Sequence, residues 1–164
     1  MRIHVTGNAG AGKTTLCREL ALQFQLPLRH LDSVVWTSNW EKPESEIRDE
    51  AVRSMCEGEA WIIDGVSEVV REQADYIIFL DTPRSTCLYR CIKRCFQWGF
   101  STRPELPEDC PEIKILFRAI KLVWWFSNTH RKQLLLESES DSRFIVCRDS
   151  KCAHTKLEHL LAAA

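Results

Sequence analysis

The sequence predicts an α/β protein, a five-stranded parallel sheet layered between helices, and three observations carry that prediction. A glycine-rich loop, Gly7-Asn8-Ala9-Gly10-Ala11-Gly12-Lys13-Thr14, follows a short apolar run at Ile3 and Val5 and precedes a helical pattern. Trp61-Ile62-Ile63-Asp64-Gly65 and Tyr76-Ile77-Ile78-Phe79-Leu80-Asp81 are almost continuously apolar before their closing acids, as strands covered on both faces are. Helical stripes separate these runs, and strands alternating with helices through right-handed crossovers give a parallel sheet. The expected strand order is 2-3-1-4-5, with the strand Ile3 to Thr6 at its centre.

The loop fits the spacing G-x-x-x-x-G-K-[ST]. Glycines at these positions let the backbone wrap until successive N–H groups point at phosphate oxygens, and the following helix presents its positive end to the same anion. Gly7, Asn8, Ala9, Gly10, Ala11, Gly12, Lys13, Thr14 and Thr15 are therefore the expected nucleotide-binding residues. Lys13 would reach the β- and γ-phosphates, and the Thr14 hydroxyl would sit on Mg²⁺. The expected organisation is thus a three-layer P-loop domain over residues 1–164.

A chain of 164 residues with 45% hydrophobic content is long enough to bury a core without metals or disulfides. Net charge is −1, from 22 basic and 23 acidic residues, so attraction to nucleic acid or to a membrane is not built in globally. No membrane partner is expected, and any nucleic-acid contact would have to be local. The N-terminus leads directly into the first strand with no apolar leader, from which a cytoplasmic location is expected. The eight cysteines form no C-x-x-C pair, and Cys87, Cys91 and Cys95, four apart, fall on one helix face as small apolar residues.

In chain order, Leu16, Leu20 and Phe24 mark the helix after the loop, which Pro27 stops. Leu28 to Leu31 is a second strand ending in Asp32. A carboxylate at the carboxyl end of such a strand faces the ligand crevice, and the other reading of Asp32 is a helix cap or turn. An insertion over the crevice follows at about 33–58, holding Trp36 and Trp40 and a helical pattern from Glu44 to Cys56. Asp64 is the candidate for the magnesium shell, because Gly65 permits close approach at the strand end; Asp81, before Thr82-Pro83, reads as a turn residue. From Ser85 a helix places Leu88, Cys91, Ile92 and Cys95 inward, and Arg90 and Arg94, one turn apart, could put two guanidinium forks on one phosphate. Residues from about 99 to 112, with three prolines, read as a mobile lid. Ile113 to Asn128 is the longest helical pattern, expected to bury Ile113, Leu116, Phe117, Ile120, Val123 and Trp124. The acidic Glu137 to Asp141 stretch reads as a turn, Phe144 to Cys147 as the last strand, Asp149-Ser150-Lys151 as a loop and Thr155 to Ala162 as a closing helix.

Read together, the loop, Leu31-Asp32 with Trp36 and Trp40, Trp61 to Gly65, Ala74-Asp75 through Asp81-Thr82-Pro83, Arg90 and Arg94, Thr102-Arg103-Pro104, Cys110-Pro111-Glu112 and His130-Arg131 resemble the topology modulation (FlaR-like) proteins, relatives of adenylate kinase. The resemblance spans nearly the whole chain. It implies an adenylate kinase-like sheet and lid, ATP and Mg²⁺ as ligands, and Arg90, Arg94 and Arg103 as lid-side arginines. Nucleoside monophosphate kinases carry an arginine shortly after the Asp-Gly that ends the third strand. Here Val66 to Val70 offers an acid and no base until Arg71, so a phosphorylated acceptor would find little charge.

Three functions fit these residues. The first is a kinase-like enzyme moving the ATP γ-phosphoryl to a small acceptor, with Lys13, Asp32, Arg90, Arg94 and Arg103 as catalytic residues and Thr14 and Asp64 on the metal. The second is a nucleotide-dependent switch ATPase acting on a macromolecular partner, which the resemblance connects to DNA topology. The third is a nucleotide-binding protein without turnover.

Overall fold

The computed structural model describes residues 1–162. Its sheet has five parallel strands in the order β2-β3-β1-β4-β5: β1 (Arg2–Gly7), β2 (Leu28–His30), β3 (Trp61–Asp64), β4 (Tyr76–Leu80) and β5 (Phe144–Cys147). The expected order and parallel pairing are those observed. The three central strands bury nearly every side chain, since both faces are covered by helices.

The helices are α1 (Lys13–Phe24), α2 (Asp32–Val35), α3 (Ser45–Ser54), α4 (Glu68–Gln73), α5 (Arg84–Trp98), α6 (Glu112–Asn128), α7 (His130–Ser140) and α8 (Ser150–Ala162). One layer of core joins β1 and the α1, α5 and α8 faces through Ile3, Val5, Leu16, Leu20, Cys87, Cys91 and Leu157. The opposite layer packs Leu31, Val52, Trp61, Val70 and Ile77. Burial pushes the thiols up, Cys87 to about 11 and Cys147 to about 12, so both serve this core as neutral small side chains.

Four readings of the sequence need correction. The second strand stops at His30, because the Leu31 N–H turns to the Asp64 carbonyl and the Leu31 carbonyl accepts from Val34 and Val35, opening α2. Asp32 therefore starts a helix instead of ending a strand. The acidic stretch Glu137 to Asp141 is mostly helical, held by Leu134 packing on Phe79 and Phe126, and α4, unrecognised in the sequence, is capped by Ser67 Oγ accepting from the Val70 N–H. The closing helix starts at Ser150, where Asp149 Oδ1 accepts from the Cys152 N–H. In α6 the buried residues are Glu112, Ile115, Ala119, Val123 and Phe126, whereas Ile113, Phe117 and Trp124 face solvent.

Candidate functional site

The loop between β1 and α1 sits at the carboxyl end of the central strand, where crevices form in open parallel sheets. Its shape is built from backbone that only glycine tolerates. Gly10 has φ 76°, and a Cβ there would lie 2.5 Å from the Cys87 carbonyl oxygen. Around it the loop is braced from three sides. Asn8 donates through Nδ2 to the Val123 carbonyl of α6 (3.0 Å) and accepts at Oδ1 from the Ala9 N–H (2.8 Å). Thr82 Oγ1 donates to the Ala11 carbonyl (3.1 Å), and Arg90 Nη1 donates to the same carbonyl (2.9 Å). Lys13 folds back over the loop, its Nζ donating to the Gly7 and Asn8 carbonyls at 3.0 and 2.9 Å. Thr15 is exposed on the first turns of α1.

Asp64 ends β3 and is buried. Its Oδ2 accepts from Thr14 Oγ1 at 2.7 Å and its Oδ1 lies 2.9 Å from His30 Nδ1. Burial opposes ionisation of Asp64, but the hydrogen bonds from His30 and Thr14, helped by the charges of His30 and Lys13, outweigh it and hold the carboxyl below the usual carboxylate range. His30, whose Nδ1 holds Asp64, also lines the cleft. The sequence did not single out His30; only its place at the end of β2, beside the end of β3, could have. The close approach depends on Gly65, φ 136°, where a Cβ would meet Leu31 Cδ1 at 2.6 Å.

Thr14, Asp64 and Lys13 supply a hydroxyl, a carboxylate and an ammonium side by side, the hard oxygen donors and cation that a magnesium nucleotide takes. The residues fit ATP and Mg²⁺, with Thr14 and Asp64 toward the metal and Lys13 toward the phosphates.

The three lid-side arginines separate. Arg90 stays on the loop carbonyls, while Arg94 Nε lies 3.1 Å from Glu112 Oε2 and Arg103 Nε donates to Glu112 Oε1 at 2.5 Å. Glu112, 2% exposed at the first turn of α6, draws Arg94 and Arg103 together as the counter-charge a buried carboxylate requires. Glu105 extends the chain of charges, pairing with Arg18 of α1 and lying 3.9 Å from Arg103.

Trp36 and Trp40 tie the insertion to the lid. Their rings meet edge to face at 5.5 Å, Trp40 Nε1 donates to the Pro111 carbonyl (3.0 Å), and Arg118 of α6 stacks over Trp36 at 4.7 Å. The Asn39 N–H donates to the Asp109 carbonyl (3.2 Å) and Lys114 Nζ to Asn39 Oδ1 (2.8 Å). Below this seam is a cleft of about 600 Å³ lined by Leu28, His30, Ser33, Val34, Met55, Pro104 and Glu105 among others. Asp32 is exposed beside it, next to the lining residue Ser33. Arg29 also lines the cleft, held through Nη1 on the Met55 and Glu57 carbonyls, whereas Arg71 lies outside it and pairs with Glu137 (Nε to Oε2, 3.0 Å). Asp81 likewise holds Arg131 through a two-pronged pair at 2.7 and 2.8 Å, as a residue tying β4 to α7.

No protein-family model matches the chain, and no curated protein matches it in sequence. Solved structures do match in fold. Shikimate kinase from Bacteroides thetaiotaomicron aligns with a TM-score of 0.58 at 16% identity, covering 99% of this chain and 98% of that one. Shikimate kinase from Acinetobacter baumannii, solved in complex with shikimate, aligns with a TM-score of 0.56 at 19% identity, over 99% and 93% of the two chains. An uncharacterized protein from Eubacterium ventriosum aligns with a TM-score of 0.54 at 16% identity, over 100% and 99%. The chain has the P-loop kinase fold, an α/β architecture with a five-stranded parallel sheet.

Proposed function

We propose that this protein is an ATP- and Mg²⁺-dependent phosphotransferase acting on a small acceptor, neutral or hydroxyl-bearing rather than phosphorylated. The Thr14 Oγ1 to Asp64 Oδ2 hydrogen bond carries the reading, because it sets a hydroxyl and an ionised carboxylate where the metal of a phosphate-bound nucleotide is needed. The nucleotide supplies the phosphoryl group and the metal neutralises its charge. The loop N–H groups and Lys13 then bind and orient the phosphates, Lys13 exchanging the Gly7 and Asn8 carbonyls for phosphate oxygens. Arg90 on the loop, and Arg94 and Arg103 once released from Glu112, are the guanidinium groups that would meet a transferring phosphoryl. Asp32 borders the acceptor cleft and is the carboxylate placed to take the proton of an attacking hydroxyl. The segment after Gly65 carries no base until Arg71, which pairs with Glu137, and this favours a hydroxyl-bearing over a phosphorylated acceptor; the likeness to shikimate kinases supports a small-molecule acceptor without naming it.

A second reading has one observation in its favour. Glu112 withholds Arg94 and Arg103, which would suit a nucleotide-dependent switch whose turnover waits for a macromolecular partner, of the kind the topology modulation resemblance suggests. A phosphotransfer screen over small hydroxyl compounds, run beside an ATPase assay without acceptor, separates the two. Transfer well above the basal ATPase is expected, and Asp32→Asn should abolish transfer while sparing ATP binding. An acceptor-free rate equal to the fastest transfer, or loss of ATP binding in Asp32→Asn, would favour the switch. Lys13→Ala should weaken ATP binding at least tenfold in calorimetry, the loss of a charge-assisted contact commonly worth about 1.5–3 kcal/mol.

A further inference from the structure

We infer that the outer face of the α5–α6 helix pair is a docking surface for an anionic lipid bilayer. On α5, Tyr89, Ile92, Lys93 and Phe96 share the face opposite the buried Cys87 and Cys91. Phe96 is 87% exposed and Phe100, just beyond the helix, 92%. On α6 the residues left out of the core, Ile113, Phe117 and Trp124, form a stripe in which Phe117 is 81% exposed. The Arg84 guanidinium at the first turn of α5 stacks on the Trp124 ring at 4.2 Å, so the α6 stripe borders α5 at that end. Isolated exposed apolar residues are ordinary; large exposed aromatics gathered on two neighbouring helices mark an interaction site.

Charge selects the occupant. α5 contains no acid and α6 contains only Glu112, which is buried and paired. Arg90, Arg94, Lys114 and Arg118 are held by the phosphate loop, Glu112 and the insertion, which leaves Arg84, Lys93 and Lys121 beside the apolar rows with no acid of either helix exposed among them. A second copy meeting this face through a two-fold axis would set like charges together. A single nucleic-acid strand is held in a basic groove with aromatic platforms, whereas here aliphatic Ile92 and Ile113 stand among the rings on a protruding helix pair. Phe, Trp and Ile flanked by Lys and Arg on helices lying side by side is the pattern of segments that rest in the headgroup region of anionic membranes. None of the described helices is long and apolar enough to cross a membrane, so the contact is peripheral.

The test is co-sedimentation of the full chain with vesicles of phosphatidylcholine alone and of equimolar phosphatidylcholine and phosphatidylglycerol, with light scattering of the free protein. Binding to the anionic vesicles only, weakened by salt, is expected. Phe96→Ser with Phe117→Ser, and separately Lys93→Glu with Lys121→Glu, should each weaken it at least tenfold while leaving the melting temperature and ATP affinity unchanged, because all four side chains point to solvent. The inference is overturned by failure to bind anionic vesicles, by equal binding to neutral ones, or by binding that both double variants retain. It is equally overturned by a dimer in solution that Phe117→Ser dissociates, or by an oligothymidine complex sensitive to the same substitutions in a protein that ignores vesicles.

Discussion

Gly10 shows how much of the loop's shape is decided by one absent side chain. Any Cβ at that position meets the Cys87 carbonyl at 2.5 Å in a backbone region that other residues avoid, so the loop and α5 must part to admit it. Gly10→Ala is expected to destabilise the fold by about 1–3 kcal/mol in urea titration and to reduce ATP affinity more than tenfold, since the N–H groups lose their aim. The loop's shape was legible from the residues themselves, because the motif's glycines fall where the backbone turns to positive φ. Asp64 was legible too, as a carboxylate closing an apolar run beside a glycine. Its partners were not: Thr14 lies 50 residues away and His30 34, and only the pairing of β2 with β3 and β3 with β1 brings them to the same carboxylate.

At the scale of elements, the buried carboxylate of Glu112 joins α5, the lid and α6. Removing it leaves Arg94 without its counter-charge and Arg103 with only Glu105, 3.9 Å away, which costs about 3 kcal/mol when a buried pair is broken. Glu112→Ala is therefore expected to lower the urea midpoint strongly, and Arg94→Ala added to it should cost little more, a non-additivity that a double-mutant cycle would read. The strands were legible because continuous apolar runs admit few other interpretations. The orientation of α6 was not. It is apolar on two sides, so its periodicity fits either Ile113, Phe117 and Trp124 or Ile115, Ala119 and Phe126 as the inward face. What decides is Asn8, whose amide takes the Val123 carbonyl, and Glu112, which needs its two arginines. The helical Glu137 to Ser140 stretch was hidden for a related reason: exposed acids mask the single buried contact of Leu134.

For the molecule as a whole, stability should depend on pH through His4 in the central strand. His4 is fully buried, Nε2 donates to the Gly65 carbonyl at 3.1 Å and Nδ1 has no partner. Burial therefore lowers its pKa to about 4, against 6.5 when unfolded. The unfolded chain binds the extra proton first, so this stability is complete above pH 6.5 and is lost as pH falls toward 4, amounting to about 3 kcal/mol. Urea midpoints measured across that window should fall with pH, and His4→Leu should flatten the slope. A different consequence follows from the seam between insertion and lid. Trp40 to Pro111, Asn39 to Asp109, Lys114 to Asn39 and Arg118 over Trp36 must all part before either wall of the cleft can move. If the insertion admits the acceptor and the lid covers the nucleotide, as proposed, the two share one hinge, and bound molecules should leave at a common pace. Stopped-flow release of a fluorescent ADP should accelerate in Trp40→Phe, although Trp40 touches no part of the phosphate loop, with acceptor release accelerating by the same factor.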